Sequence, residues 1–273
     1  MTTAEPTIAL PPSQVKALQR AIMNLENQDF AARLADYAGR PIARALRLMP
    51  RGASARFNKA VEAAILNALN IAIRSIEPQS KRPPARRTAS MLAGISGGVS
   101  GFFGIAALPI ELPVTTTLIL RAIADIARHH GEDLSTLEAR LACLEVFALG
   151  APAPGRRTDL GYYASRALIG RLAADAATIF LERGATNLSA PVVGSLVTEI
   201  ATRFGVVVTE RSAASAFPVL GAVGGATVNV IFMNHFQRVA RGHFAIRRLE
   251  RRYGTGIIRQ LYHAHAPRRK DAG

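Results

Sequence analysis

Residues 88–110 read TASMLAGISGGVSGFFGIAALPI, and residues 212–234 read SAASAFPVLGAVGGATVNVIFMN. Neither 23-residue stretch carries a charged side chain. Length alone would let either one cross a bilayer. Both are built from Gly, Ala and Ser rather than Leu and Ile, however, and such residues add little to insertion. What small residues do supply is a bare helix surface that a neighbouring backbone can approach closely. Gly94 and Gly98, Gly97 and Gly101, and Gly221 and Gly225 are each four apart, so each pair shares one helix face. These spacings predict an all-α, Gly/Ala-rich helical bundle with two apolar glycine-rich helices packed in its core. A soluble hairpin, a hairpin inserted in the membrane, and a bundle that opens onto a membrane surface are the three forms this packing can take. A phosphate loop is excluded for GISGGVSG, because no Lys-Ser/Thr follows the glycines.

The rest of the chain agrees with helices. Its 273 residues are 49% hydrophobic, much of that alanine, with no Trp and 6% aromatic residues. Such a composition can bury a core and is not that of a disordered chain. A lead over 1–12, an N-terminal helical region over 13–76, a basic Pro-rich linker over 77–87 (EPQSKRPPARR), a main helical domain over 88–265 and a basic tail over 266–273 are the expected divisions. The lead lacks a basic n-region and an apolar core, so a cytoplasmic location is expected.

Helices are predicted from Ser13, from Ser54 to Pro78, and from Val114 to His130, where Gly131 suits a left-handed cap. Ser135-Thr-Leu-Glu138 has the spacing of a capping box and opens the next helix, which ends at Gly150. Further helices are expected over 160–183, 191–204, 218–253 and 255–265. Residues 205–217 stay ambiguous, since VVV favours strand and ERSAASAF favours helix. Gly242 is the weak point of the long helix, costing about 1 kcal/mol relative to Ala.

The formal net charge is +15, from 34 basic and 19 acidic residues, and only four of the basic ones are lysines. An anionic partner would explain it: a membrane surface or lipid, nucleic acid, or an acidic protein. A GC-rich genome would explain part of the arginine bias by itself. Residues 235–270 hold ten Lys and Arg against one acid, Glu250. On a helical wheel Val239, Ile246, Leu249 and Tyr253 share one side, while Arg241, Arg247, Arg248, Arg251 and Arg252 spread over the other. That pattern fits a basic amphipathic helix lying on an anionic membrane. Without interleaved aromatic residues for base stacking, nucleic acid ranks behind it.

Enzyme chemistry finds little footing. Cys143 sits in the apolar run LACLEVFAL and reads as a buried thiol. The six histidines form no metal motif, so neither a metal nor a cofactor is expected. Glu111, Arg121 and Asp125, with Asn229 and His235, form the candidate polar pocket. It would be either a ligand or reaction site or a buried network that fixes helix register. Arg121 and Asp125 are spaced to pair on one face.

Three blocks resemble the EcsC protein family: Gly94–Asp125, Gly131–Gly150 and Pro218–Gly254. The last includes Gly221, Gly224, Asn229, His235, His243, Arg247, Glu250 and Tyr253, a ligand site or a fold-holding set; Arg247 and Glu250 are spaced to pair. The resemblance implies a helical protein, with a transporter link that comes from gene neighbourhood, and supplies no catalytic residues. Together these readings lead us to expect a non-enzymatic, peripherally membrane-associated accessory protein. It would support an ABC transport system or handle lipid, with a membrane transporter or a second copy of the chain as further partners. An enzyme with the polar pocket above, and a nucleic-acid-binding protein acting through residues 238–252, are the alternatives.

Overall fold

The computed structural model describes residues 10–26, 51–75, 108–151, 162–183, 190–215 and 221–266. Every regular element among them is a helix: α1 (Pro12–Glu26), α2 (Arg51–Ser75), α3 (Leu108–His129), α4 (Leu137–Leu149), α5 (Tyr162–Arg183), α6 (Pro191–Ser215), α7 (Gly221–Tyr253) and α8 (Thr255–His265). Gly94, Gly97, Gly98 and Gly101, and the linker at 77–87, lie outside the described residues. Gly221 and Gly225 are on α7, as expected, but in the part whose packing is not described.

Local chemistry accounts for the helix ends. At the end of α3, Gly131 adopts φ 81°, and Glu132 N–H donates to Ala127 O at 3.0 Å, closing a left-handed cap. Thr136 rather than Ser135 caps α4: its Oγ1 accepts from Ala139 N at 3.3 Å. Ser135 is already engaged through its N–H with Asp133 Oδ1 at 2.9 Å. The expected capping box is therefore not formed, because the N3 residue is Ala139, and Glu138 takes another partner. α3 starts at Leu108, six residues before the expected Val114, and carries Pro113 inside. Pro113 is the sixth residue of α3, so its missing N–H forfeits the regular bond to the Pro109 carbonyl. The Thr116 and Thr117 hydroxyls donate to the carbonyls of Leu112 and Pro113, at 2.8 and 2.7 Å.

α7 and α4 form the axis of the molecule. α7 has 33 residues, about 50 Å of helix, and packs against α1, α3, α4, α6 and α8. From Val228 to Glu250 most of its residues are buried, including Phe232, Phe236, Ala240, Phe244 and Ile246. This overturns the expectation of a surface-lying amphipathic helix: α7 buries most of its circumference. α4 is buried continuously from Leu141 to Leu149, as a helix apolar on all sides should be. The rings of Phe147 (α4), Phe204 (α6), Phe232 and Phe236 (α7) meet at centroid distances of 5.1–6.0 Å, in the tilted and edge-on geometries aromatic pairs favour. α1 and α2 join the same core through Leu18, Ile22, Leu25, Val61, Ile65 and Leu69.

The ambiguous 205–217 segment continues α6 as helix to Ser215. Val207 and Val208 are fully buried there, so tertiary packing outweighs the weak β preference of valine. Among the described residues, the one segment long and apolar enough to cross a membrane is Pro191–Thr209 of α6, with a mean hydropathy of 1.5, and 56% of it is buried within the protein.

Candidate functional site

The residues of the sequence-predicted polar pocket lie apart from the cavity described below. Glu111 is half-buried in the first turn of α3 and Arg121 is exposed. Asp125 pairs with Arg128, three residues on, at 2.8 Å, and not with Arg121. Asn229 is buried in α7. His235 is also buried, with Nε2 2.6 Å from the carbonyl of Gly150 at the end of α4. None of the five lines the cavity described next.

That cavity, of about 430 Å³, lies among α4, α5, α7 and α8. Its small-residue wall comes from α5: Ala167, Gly170, Ala173, Ala174 and Ala177, with Leu141 of α4. Positions 170, 173, 174 and 177 recur at helical spacing, so one face of α5 is bare of bulky groups. Polar groups gather on the other sides: Glu138 and Glu145 from α4, Tyr163 and Arg166 from α5, Arg247 from α7, Thr255 and Arg259 from α8.

Two ion-pair clusters hold this polar rim. Arg166 Nη1 donates to both carboxylate oxygens of Glu250, at 2.9 and 2.8 Å, and the Tyr163 hydroxyl donates to the same carboxylate at 2.9 Å. Arg247 grips Glu132 through Nε and Nη2 at 2.9 and 3.1 Å and reaches Glu138 Oε1 at 3.0 Å. Arg251 also bonds Glu132, and donates to the carbonyl of His130 at 2.8 Å. Burial alone would raise the Glu132 pKa, but the hydrogen bonds and charges of Arg247 and Arg251 hold it below the usual carboxylate value.

These contacts correct two expectations. Arg247 and Glu250, spaced to pair, instead take separate partners. Arg247 and Arg251, assigned to an anionic surface, are engaged within the protein, and the Arg247 side chain is only 15% exposed. Arg241 is half-buried, whereas Arg248 and Arg252 are exposed, Arg252 lying 5.5 Å over the Tyr253 ring.

Beneath the rim lies a buried chain of polar groups. The Tyr162 hydroxyl and His243 Nδ1 share a hydrogen bond at 2.9 Å. His243 Nε2 has no hydrogen-bond partner among the described residues, and the closest carboxylate, Glu145 Oε2, stands 4.0 Å away, too far for a bond. Burial first, then Arg166 and Arg247, push the His243 pKa well down, so the imidazole is neutral. Burial raises Glu145 to about 7 despite the pull of Arg166 and Arg247. Glu145 therefore stands between His243 and the cavity, its side chain 8% exposed.

The sequence points to Arg247 as a surface cation, to Glu250 as the one acid of residues 235–270 and to His243 through the third family block; it does not single out Glu132, Glu145, Tyr162, Tyr163 or Arg166. A signal for Glu145 was available, since it is the one acid within LACLEVFAL. No similar local signal marks the others. Cys143 is fully buried and its thiol pKa is driven up by that burial, which keeps it protonated. Among the described residues no three His, Cys, Asp or Glu side chains gather as a metal site.

No curated protein and no solved structure matches this chain. The profile of the EcsC protein family matches residues 13–249, from α1 to Leu249 of α7, stopping just before Glu250 and Arg251. With most of its length matched, the chain belongs to the EcsC protein family.

Proposed function

We propose that this EcsC-family protein is a non-enzymatic accessory protein that associates from the cytoplasmic side with an anionic membrane surface and serves a membrane transport system. The observation that carries the reading is a basic corner where the ends of α3 and α7 meet. Arg248 and Arg252, one turn apart on α7, are exposed and have no ion-pair partner among the described residues. Exposed His129 and half-buried His130 lie at the neighbouring end of α3. His130 senses the local field: burial first, then Arg248, His129 and Arg251, lower its pKa to about 4. Uncompensated cations on a surface of this kind attract acidic lipid headgroups.

Sedimentation with vesicles of phosphatidylcholine and phosphatidylserine tests this reading. Each exposed arginine should contribute about 1 kcal/mol at low salt. Arg248→Ala with Arg252→Ala is therefore expected to weaken binding about thirtyfold, and added salt should weaken the unaltered protein too. Arg247 and Arg251 are left intact, because replacing them would disturb the fold through Glu132. Equal binding to neutral and acidic vesicles would refute the proposal. A preference for duplex DNA over acidic vesicles would favour the nucleic-acid alternative. Glu111, Arg121, Asp125, Asn229 and His235, on which the enzyme alternative was built, do not line the cavity among α4, α5, α7 and α8.

A further inference from the structure

We propose that the cavity among α4, α5, α7 and α8 is a binding site for an amphipathic organic acid, a single carboxylate or phosphate monoester on an apolar chain, with Glu145 as its recognition group. The inference does not depend on the surface reading above.

Four observations lead there. First, the volume of about 430 Å³ falls within the range of about 300–1,000 Å³ usual for small-molecule sites. Second, Glu145 is more than nine-tenths buried, faces the cavity and makes no hydrogen bond with any described residue. Its oxygens open onto the cavity, so the polar head of a ligand can take the place of solvent there. Third, beside Glu145 the small residues Ala167, Gly170, Ala173, Ala174 and Ala177 of α5 offer an alkyl chain apolar contact. Fourth, Arg259 on the rim is exposed, with no ion-pair partner among the described residues. The other rim cations, Arg166 and Arg247, are matched by Glu250, Glu132 and Glu138.

Charge balance selects an acid over an amine. The groups that face Glu145 are Glu138 on its own helix, Glu132 before it, Tyr162, Tyr163 and Arg166 from α5, and His243 and Arg247 from α7. Glu199 and Arg203 of α6, which packs against α4, pair with each other at 2.6 Å. With the carboxyl of Glu145 protonated, the unmatched charge at the rim is that of Arg259. An anionic head then finds a cation together with a hydroxyl donor from Glu145. An ammonium would face the unmatched arginine instead. Binding of the acid takes up a proton from solvent onto Glu145, so affinity rises as pH falls.

Titration calorimetry of the full chain with decanoate, decyl phosphate, decylamine, decanol and acetate tests this. Decanoate and decyl phosphate should bind. Decylamine, decanol and the tail-less acetate should bind at least about tenfold more weakly. Decanoate affinity should be about tenfold higher at pH 6 than at pH 8, because Glu145 titrates near 7. A Cβ at Gly170 would lie 3.8 Å from Glu145 Oε1, an ordinary contact. Gly170→Leu should therefore fill the cavity in a folded protein and abolish binding, while Gly170→Ala narrows it and weakens binding. Glu145→Gln keeps an N–H donor but loses the titration, so its decanoate affinity should not change between pH 6 and pH 8. Circular dichroism melts confirm that each variant is folded. Decylamine binding more tightly than decanoate, decanoate binding untouched by Gly170→Leu in the folded variant, or no binding of any acid probe would overturn the proposal.

Discussion

Gly242→Val should destabilise the protein by about 3 kcal/mol, at the upper end of what over-packing costs. A Cβ at Gly242 would fall 2.6 Å from Leu25 Cγ and 3.0 Å from the Ala21 carbonyl oxygen, both on α1. Leu25 is itself 2% exposed and has nowhere to retreat. The glycine that weakens α7 by helix propensity is thus what lets α1 lie against it. Even Gly242→Ala should lose stability, although alanine regains about 1 kcal/mol of propensity. For a chain of this size the valine variant should melt roughly 10 °C lower, taking about 2–4 °C per kcal/mol. Leu25→Ala removes one of the two clashing groups, so its combination with Gly242→Ala should cost less than the sum of the single changes. An unchanged melting temperature for Gly242→Val would show that α1 does not dock there.

Glu132→Ala should cost a similar amount, about 3 kcal/mol, by a different route. Glu132 is the shared acceptor of Arg247 and Arg251, and its side chain is 4% exposed. Without it, Arg247 keeps only the exposed carboxylate of Glu138, and a largely buried guanidinium loses most of its compensation. The pH dependence carries a sign. The folded Glu132 pKa lies below its unfolded value, so its stabilisation is complete above the unfolded value, near 4.5, and is lost as pH falls through the lower folded one. Urea titrations should therefore show wild type and Glu132→Ala far apart at pH 7 and converging in acid. A constant gap over that range would mean that the carboxylate does not act through its charge.

How legible this was in the sequence depended on distance along the chain. Helix positions followed from local rules: apolar spacing located α1 and α2, and Gly131 marked the end of α3. α8 ends where its pattern ends, at His265. The role of α7 did not follow from such rules. Five arginines on a wheel look like a water-facing side, but Ala240, Gly242 and Ala245 are small, and their burial depends on neighbours that approach closely. The partner of Arg247 lies 115 residues away, in the turn before α4. In the same region Thr136 caps α4 and Glu138 bonds Arg247 instead of closing a capping box. No spacing rule reaches across such a separation. The cavity joins α4, α5, α7 and α8 in the same long-range way, and only the lone acid in LACLEVFAL hinted at it.

The central claim is that α7 is a buried axis already formed in water, with its arginines at 247 and 251 committed to Glu132. Hydrogen–deuterium exchange of peptides covering 228–249, with and without acidic vesicles, tests it most directly. The account predicts that these amides are among the slowest in the protein in plain buffer, exchanging only on global unfolding, and that vesicles leave them unchanged. Rapid exchange in buffer, with protection appearing only when vesicles are added, would describe a helix that forms on the membrane and would contradict it.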